Sequence, residues 1–301
     1  MNKGCALPIP NHPSPITGST FREREMSALG LHGFHRLKYY EWGDPANPKV
    51  LICVHGLTRN GRDFDDIANA LSADYRVLCP DAPGRGKSEW LTNKEDYAYP
   101  VYCADMATLI ARSGAQTVDW IGTSMGGLIG MLLAAQPNSP IRKLVMNDVG
   151  PFIPKASLER LSTYVGKPVS YDSFEAFEQY IRLVSASFGP LTDAQWLHLT
   201  ETTARRKDDG RWGTNYDPAI ALPFTGPITD VVLWSFWDQI RCPTLVLRGT
   251  ESDLLLGETA REMTTRGPKA KLVEFAGIGH APMLMEQSQI AVVREFLAND
   301  S

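Results

Sequence analysis

The sequence predicts an α/β protein built on a mostly parallel sheet with helices on both faces. Two observations carry this reading: residues 49–150 alternate short β-rich runs with helical patterns, and the same rhythm resumes at residue 244 after a long interruption. Ahead of the alternation, the first 25 residues hold four prolines and read as an irregular lead. Residues 35–42 then read as an antiparallel edge strand. Further strands are expected at 50–54, 75–79, 118–121 and 144–146. Between them, Phe64, Ile67, Ala68 and Leu71 recur at helical spacing, as do Tyr102, Met106, Leu109 and Ile110. Right-handed crossovers are the default connection between such strands. Residues 151–239 are helix-like, aromatic and broken by Pro and Gly, with no clear strand, which marks an insertion. Strands at 244–247 and 271–275, a helix at 258–265 and a closing helix with Ile290, Val293 and Leu297 on its apolar face complete the pattern. The expected division is a lead over 1–25, a core over 26–150 and 240–301, and an inserted unit over 151–239.

Composition narrows the function. With 301 residues, 43 % hydrophobic and 21 % charged, the chain has the make-up of an ordinary globular protein, which excludes disorder, collagen and coiled coil. The formal charge is −4, and the one dense basic run, Arg205-Arg206-Lys207, is followed at once by Asp208 and Asp209, so no nucleic-acid partner is expected. No apolar stretch approaches the ~20 residues that span a bilayer, and the lead has no signal-peptide core. A soluble, cytoplasmic protein with no membrane partner is the expectation; the sequence does not define its oligomeric state. The five cysteines read as buried thiols, since Cys53 and Cys79 sit in strand-like runs and Cys103 in a helical pattern. No zinc-type Cys/His spacing occurs, and neither a metal nor a cofactor is expected.

The chemistry-bearing motif is Gly122-Thr123-Ser124-Met125-Gly126, which follows the strand at 118–121 and precedes the apolar helix at 127–135. A serine there sits on a sharp strand-to-helix bend, and the residues two before and two after it must be small because they crowd each other. Ser124 is the candidate nucleophile. A serine hydroxyl needs a base, and the base needs a group to orient it. His280, on the Gly277-Ile278-Gly279-His280-Ala281 loop after the strand at 271–275, is the candidate base. Asp253, after the strand at 244–247, is the candidate orienting acid, with Glu251 and Asp148 as rivals. The His55-Gly56-Leu57 turn after an upstream strand places the Leu57 backbone N–H, together with that of Met125, as candidate donors to a tetrahedral oxyanion. His55 itself reads as a structural, hydrogen-bonded histidine.

These pieces resemble the α/β-hydrolase family: His55-Gly56, the loop Asp81-Ala82-Pro83-Gly84-Arg85-Gly86-Lys87-Ser88, the Gly122 to Gly126 elbow, then an acid and His280, in the family's order of serine, acid and histidine. The likeness spans about residues 35–298. It implies an eight-stranded, mostly parallel sheet, a structural role for the Asp81 to Ser88 loop, and a helical lid inserted after the sixth strand, matching 151–239. Two departures stand out: Asp253 lies four rather than three residues after Gly249, and Glu286 lacks a following proline.

The expected activity is hydrolysis of a small to medium carboxylic ester through an acyl-enzyme. A carbon–carbon bond hydrolase of aromatic catabolism has a similar elbow, but Ala281-Pro282-Met283 follows His280 here where that group has Trp. A small-molecule receptor on the same fold is the non-enzymatic alternative. The insertion carries Phe152, Tyr164, Phe188, Trp196, Trp212, Tyr216, Phe224, Trp234, Phe236 and Trp237; most of these are expected in packing and a few in a ligand pocket.

Overall fold

The computed structural model describes residues 21–299. Strands β1 (Arg22–Gly30) and β2 (Gly33–Trp42) form a hairpin, followed by β3 (Val50–Val54), helix α1 (Asp65–Leu71), β4 (Arg76–Pro80), α2 (Tyr99–Ser113), β5 (Val118–Thr123), α3 (Met125–Ala134) and β6 (Ile141–Asn147). An excursion of almost one hundred residues follows. It contains β7 (Phe152–Ile153), α4 (Lys155–Ser162), α5 (Phe174–Val184), α6 (Asp193–Thr203), β8 (Ala204–Arg206), β9 (Trp212–Thr214), β10 (Val231–Val232) and α7 (Trp234–Trp237). The chain then returns through β11 (Thr244–Gly249), α8 (Gly257–Met263), β12 (Lys271–Phe275) and α9 (Gln287–Ala298).

Eight strands make one sheet in the order β1-β2-β4-β3-β5-β6-β11-β12. β2 runs antiparallel to both its neighbours, and every pair from β4 to β12 is parallel. The sheet is therefore the mostly parallel, eight-stranded one expected, with helices on both faces. Strand β3 shows why its sequence is apolar throughout rather than alternating: Val50, Ile52 and Val54 enter the core on one face, Leu51 and Cys53 the core on the other, and all five are buried. Helices α2 and α3 cover the first face, α1 and α9 the second.

Three sequence expectations need correction. The edge strand is β1, not the strand at 35–42, which is second in the sheet. Residues 22–25, assigned to the irregular lead, open β1; residues 1–20 of that lead lie outside the described residues. The excursion is not free of strands, since β7 pairs with β10 and β8 with β9. These are two or three residues long, too short for alternation to register in a sequence.

Lys143, near the start of β6, ties that strand to the end of α9. Its side chain is buried, and its Nζ donates to the Leu297, Asn299 and Phe296 carbonyls at 2.7, 2.6 and 3.3 Å, capping the carboxyl end of α9 with a positive charge. Replacing Lys143 by Met leaves those carbonyls without their charged donor. A loss of about 2 kcal/mol follows, read as a melting temperature lower by a few degrees in calorimetry.

Candidate active site

Ser124 occupies the bend between β5 and α3 at φ 52° and ψ −115°, a conformation that costs energy for any residue but glycine. The bend is cramped as its sequence requires. A Cβ on Gly122 would overlap the Gly126 carbonyl, and one on Gly126 would overlap the Val54 carbonyl. Three hydrogen bonds fix it: Trp120 Nε1 donates to the Gly126 carbonyl at 3.1 Å, the Ser124 amide to the Asn147 carbonyl at 3.0 Å, and Asn147 Nδ2 to Thr123 Oγ1 at 3.0 Å. The same Asn147 Nδ2 reaches the Pro282 carbonyl at 2.7 Å, so one side chain ties the serine bend to the loop that carries His280.

On that loop His280 places Nε2 at 2.9 Å from Ser124 Oγ and Nδ1 at 2.8 Å from Asp148 Oδ2. Ser124 and His280 are thus brought together, as the sequence anticipated. Asp253 does not join them. Its carboxylate, about half exposed, pairs with Arg160 through Nε at 2.5 Å and Nη2 at 2.9 Å, and its carbonyl accepts from Ser157 Oγ on α4. Glu251 is exposed as well. The carboxylate against His280 is that of Asp148, which is fully buried.

Position in the sheet explains the correction. Asp148 directly follows β6, the strand between β5 and β11, and its amide donates to the Leu247 carbonyl at 2.8 Å. Its Oδ1 accepts the Gly249 amide at 2.9 Å, and its Oδ2 accepts Ser252 Oγ at 2.6 Å besides facing the imidazole. A carboxylate with no access to water needs such donors, and Asp253 lies beyond the turn that supplies them. Ser252 and Asn147 were missed from sequence. The available signal was that Asn147-Asp148 continues an apolar run, because polar groups embedded in a buried strand end must find buried partners.

The turn after β3 faces the serine: a Cβ on Gly56 would lie 3.6 Å from Ser124 Cβ. The Gly56 carbonyl accepts from His55 Nδ1 at 2.7 Å and from the Arg59 amide at 3.1 Å, while the Ala82 amide donates to His55 Nε2 at 2.9 Å. In a trans peptide the N–H points opposite to the carbonyl, so the Leu57 N–H is aimed away from those two donors. The Leu57 carbonyl is held in turn by Nε of the fully buried Arg85 at 2.9 Å. Met125 opens α3, where the helix leaves the first amides without acceptors of their own. A pocket opens at Ser124 and His280, walled by Tyr164, Tyr180, Phe188 and Tyr216, with Arg59 and Arg160 among its charged groups. Of the inserted aromatics, Trp196 packs within the excursion and Trp237 in the sheet core instead.

A profile described as alpha/beta hydrolase fold matches residues 49–286. The chain belongs to the α/β-hydrolase fold family. Among its relatives, the 3-hydroxybutyrate-oligomer hydrolase of Cupriavidus necator is 50 % identical over 88 % of this chain and 93 % of its own. An esterase of Mycobacterium tuberculosis is 27 % identical over 75 % of this chain and 73 % of its own. The crystal structure of an α/β hydrolase from Novosphingobium aromaticivorans superposes with a TM-score of 0.82 at 37 % identity, covering 92 % of this chain and 98 % of that one. The protein is therefore an enzyme, a hydrolase with esterases among its relatives.

In this α/β hydrolase the Asp81 to Ser88 loop contributes structure. Asp81 is buried and accepts the Gly61 and Lys87 amides, each at 2.8 Å, and burial raises its carboxyl to about 6. Burial also holds the His55 imidazole neutral, its pKa lowered to about 4. The two act oppositely on stability. His55 contributes above pH 6.5, and that contribution is lost as pH falls toward 4, because the unfolded chain takes up a proton the folded one refuses. Asp81 contributes below pH 3.8, and that contribution is lost as pH rises through 6. Comparing the parent with His55→Gln isolates the histidine: the parent's advantage in unfolding free energy is expected to shrink by up to about 3 kcal/mol from pH 7 to pH 4.5, read in denaturant titrations at the two pH values. A constant difference across that range would show that His55 is not held neutral.

Proposed function

We propose that this enzyme is a serine hydrolase that cleaves the ester bonds of short 3-hydroxybutyrate oligomers through an acyl-enzyme on Ser124. The observation that carries the reading is the continuous chain from Ser124 Oγ through both nitrogens of His280 to the buried carboxylate of Asp148, with contacts of 2.9 and 2.8 Å. The oligoester is favoured by the 50 % identity to the Cupriavidus necator hydrolase over almost the whole of both chains. A pocket with aromatic walls and scattered hydroxyls suits a short chain of alternating methyl-bearing carbons and ester oxygens.

In this reading His280 Nε2 takes the Ser124 proton as Oγ attacks the ester carbonyl. The oxyanion forms against the Leu57 and Met125 amides, of which each is worth about 3 kcal/mol in such a site. As the tetrahedral species collapses, the imidazolium returns its proton to the leaving alcohol oxygen. Water then attacks the acyl-enzyme with His280 again as base, releasing the acid and restoring the serine. Asp148 fixes the imidazole's orientation and balances its transient charge. The excursion over 151–239 acts as a lid that completes the pocket wall.

Two measurements test this. Ser124→Ala is expected to abolish labelling by a fluorophosphonate and to lower turnover of p-nitrophenyl butyrate by at least about 10⁴, with the melting temperature near that of the parent. Labelling of the parent at Ser124 without multiple turnovers would point to a receptor. Comparison of Asp148→Asn with Asp253→Asn then identifies the acid: the first is expected to cost about 10⁴ in kcat and the second far less than a hundredfold. The reverse order would restore Asp253.

A further inference from the structure

Two ion-paired arginines line the pocket and differ in how far they are exposed. On one side, Arg59 binds Asp63 through Nε and Nη2 at 2.8 and 2.7 Å; both side chains are about nine-tenths buried and both line the pocket, so the pair brings no net charge to it. On the other side, Arg160 lines the pocket with its side chain 42 % exposed, but its partner Asp253 is not part of the wall. Asp253 takes up the Nε and Nη2 edge of the guanidinium. Tyr164, also in the pocket wall, takes a further hydrogen bond from Arg160. A guanidinium carries five N–H donors, so two remain for a planar anion after the Asp253 and Tyr164 contacts.

Sheet order places the two arginines on opposite sides of the nucleophile. Arg59 follows β3, whereas Arg160 on α4 is tied to the turn after β11, and β5 with its Ser124 lies between those strands. The His280 imidazole, bonded to Asp148 at the end of β6, also lies on the β11 side of Ser124. That imidazole must protonate the leaving oxygen, so the leaving alcohol departs toward Arg160. In a free 3-hydroxybutyrate oligomer cut at its last ester, the leaving alcohol is a 3-hydroxy acid with the terminal carboxylate only three bonds from the leaving oxygen.

We propose that Arg160, oriented by Asp253, binds the free carboxylate of the leaving 3-hydroxy acid, so that the enzyme shortens its substrate one unit at a time from the carboxyl end. This rests on the oligoester reading above. In the acylation step the terminal ester C–O bond breaks as the Ser124 Oγ–acyl bond forms. The proton of imidazolium Nε2 passes to the departing oxygen, and the carboxylate stays ionised against the guanidinium.

The test uses a 3-hydroxybutyrate trimer whose carboxyl-terminal unit is ¹³C-labelled, as the free acid and as its methyl ester, with products resolved by mass. The parent is expected to release labelled monomer and unlabelled dimer first, and to prefer the free acid in kcat/KM by about tenfold or more. Arg160→Gln should bring that preference close to one by raising KM for the acid, and Arg160→Lys should restore part of it. Labelled dimer as the first product, equal use of acid and methyl ester by the parent, or an unchanged preference in Arg160→Gln would each overturn the assignment. The parent measurements stand even if a variant fails to fold. Trimer cleavage without end preference sinks the role of Arg160 alone. No trimer cleavage alongside normal turnover of p-nitrophenyl butyrate sinks the oligoester reading and this inference with it.

Discussion

The site depends on a carboxylate that water cannot reach. Asp148 is fully buried at the end of β6, and it is tolerable there because an amide, a hydroxyl and an imidazole converge on its two oxygens. Those partners come from Gly249, Ser252 and His280, each more than one hundred residues further along the chain. The need to satisfy one buried charge thus draws the ends of β6 and β11 and the loop after β12 into a single arrangement. The imidazole so fixed is the one that meets Ser124. The cramped β5–α3 bend is the complementary constraint: it raises the hydroxyl to that meeting point at the expense of a left-handed backbone.

The parts of the fold legible in the sequence are those with strong local signals. The β3 to β6 strands announce themselves as apolar runs, and the serine bend through two glycines whose replacement would force a clash. The His280 loop follows from its place after the last strand. What local reading missed depends on partners distant in sequence. β1 mixes charges on its exposed face with Met26 and Ala28 on its buried one, so it resembles a lead more than a strand. Asp148 and Asp253 each follow a sheet strand, and the only local difference is that Asp148 directly continues an apolar run whereas Asp253 lies in a polar turn. The distinction is burial, which arises only when β6 is flanked on both sides. The short pairings in the excursion have no period to detect.

With Asp148 rather than Asp253 against the imidazole, Asp253 has a different structural setting. Asp253 is engaged twice with α4, through its carboxylate to Arg160 and its carbonyl to Ser157. It joins the excursion to the sheet core at the rim of the pocket, which is a different task from orienting an imidazole. Arg85 shows a similar indirect role on the other side of the serine: buried beneath the β3 turn, it holds the Leu57 carbonyl and touches Tyr102 Oη at 2.9 Å.

The His280 loop is not supported by the sheet alone. Ser187, from the excursion, donates through Oγ to the His280 carbonyl and accepts the Gly279 amide, both at 2.7 Å, while Met283 and Met285 just beyond pack against Phe177, Ile181 and Trp196 of α5 and α6. Grafting a foreign segment between β6 and β11 to alter what enters the pocket would therefore also remove these supports under the imidazole. A transplant that preserved a serine at 187 and an apolar platform for the two methionines would keep that ring in register; one chosen by pocket shape alone would let it drift.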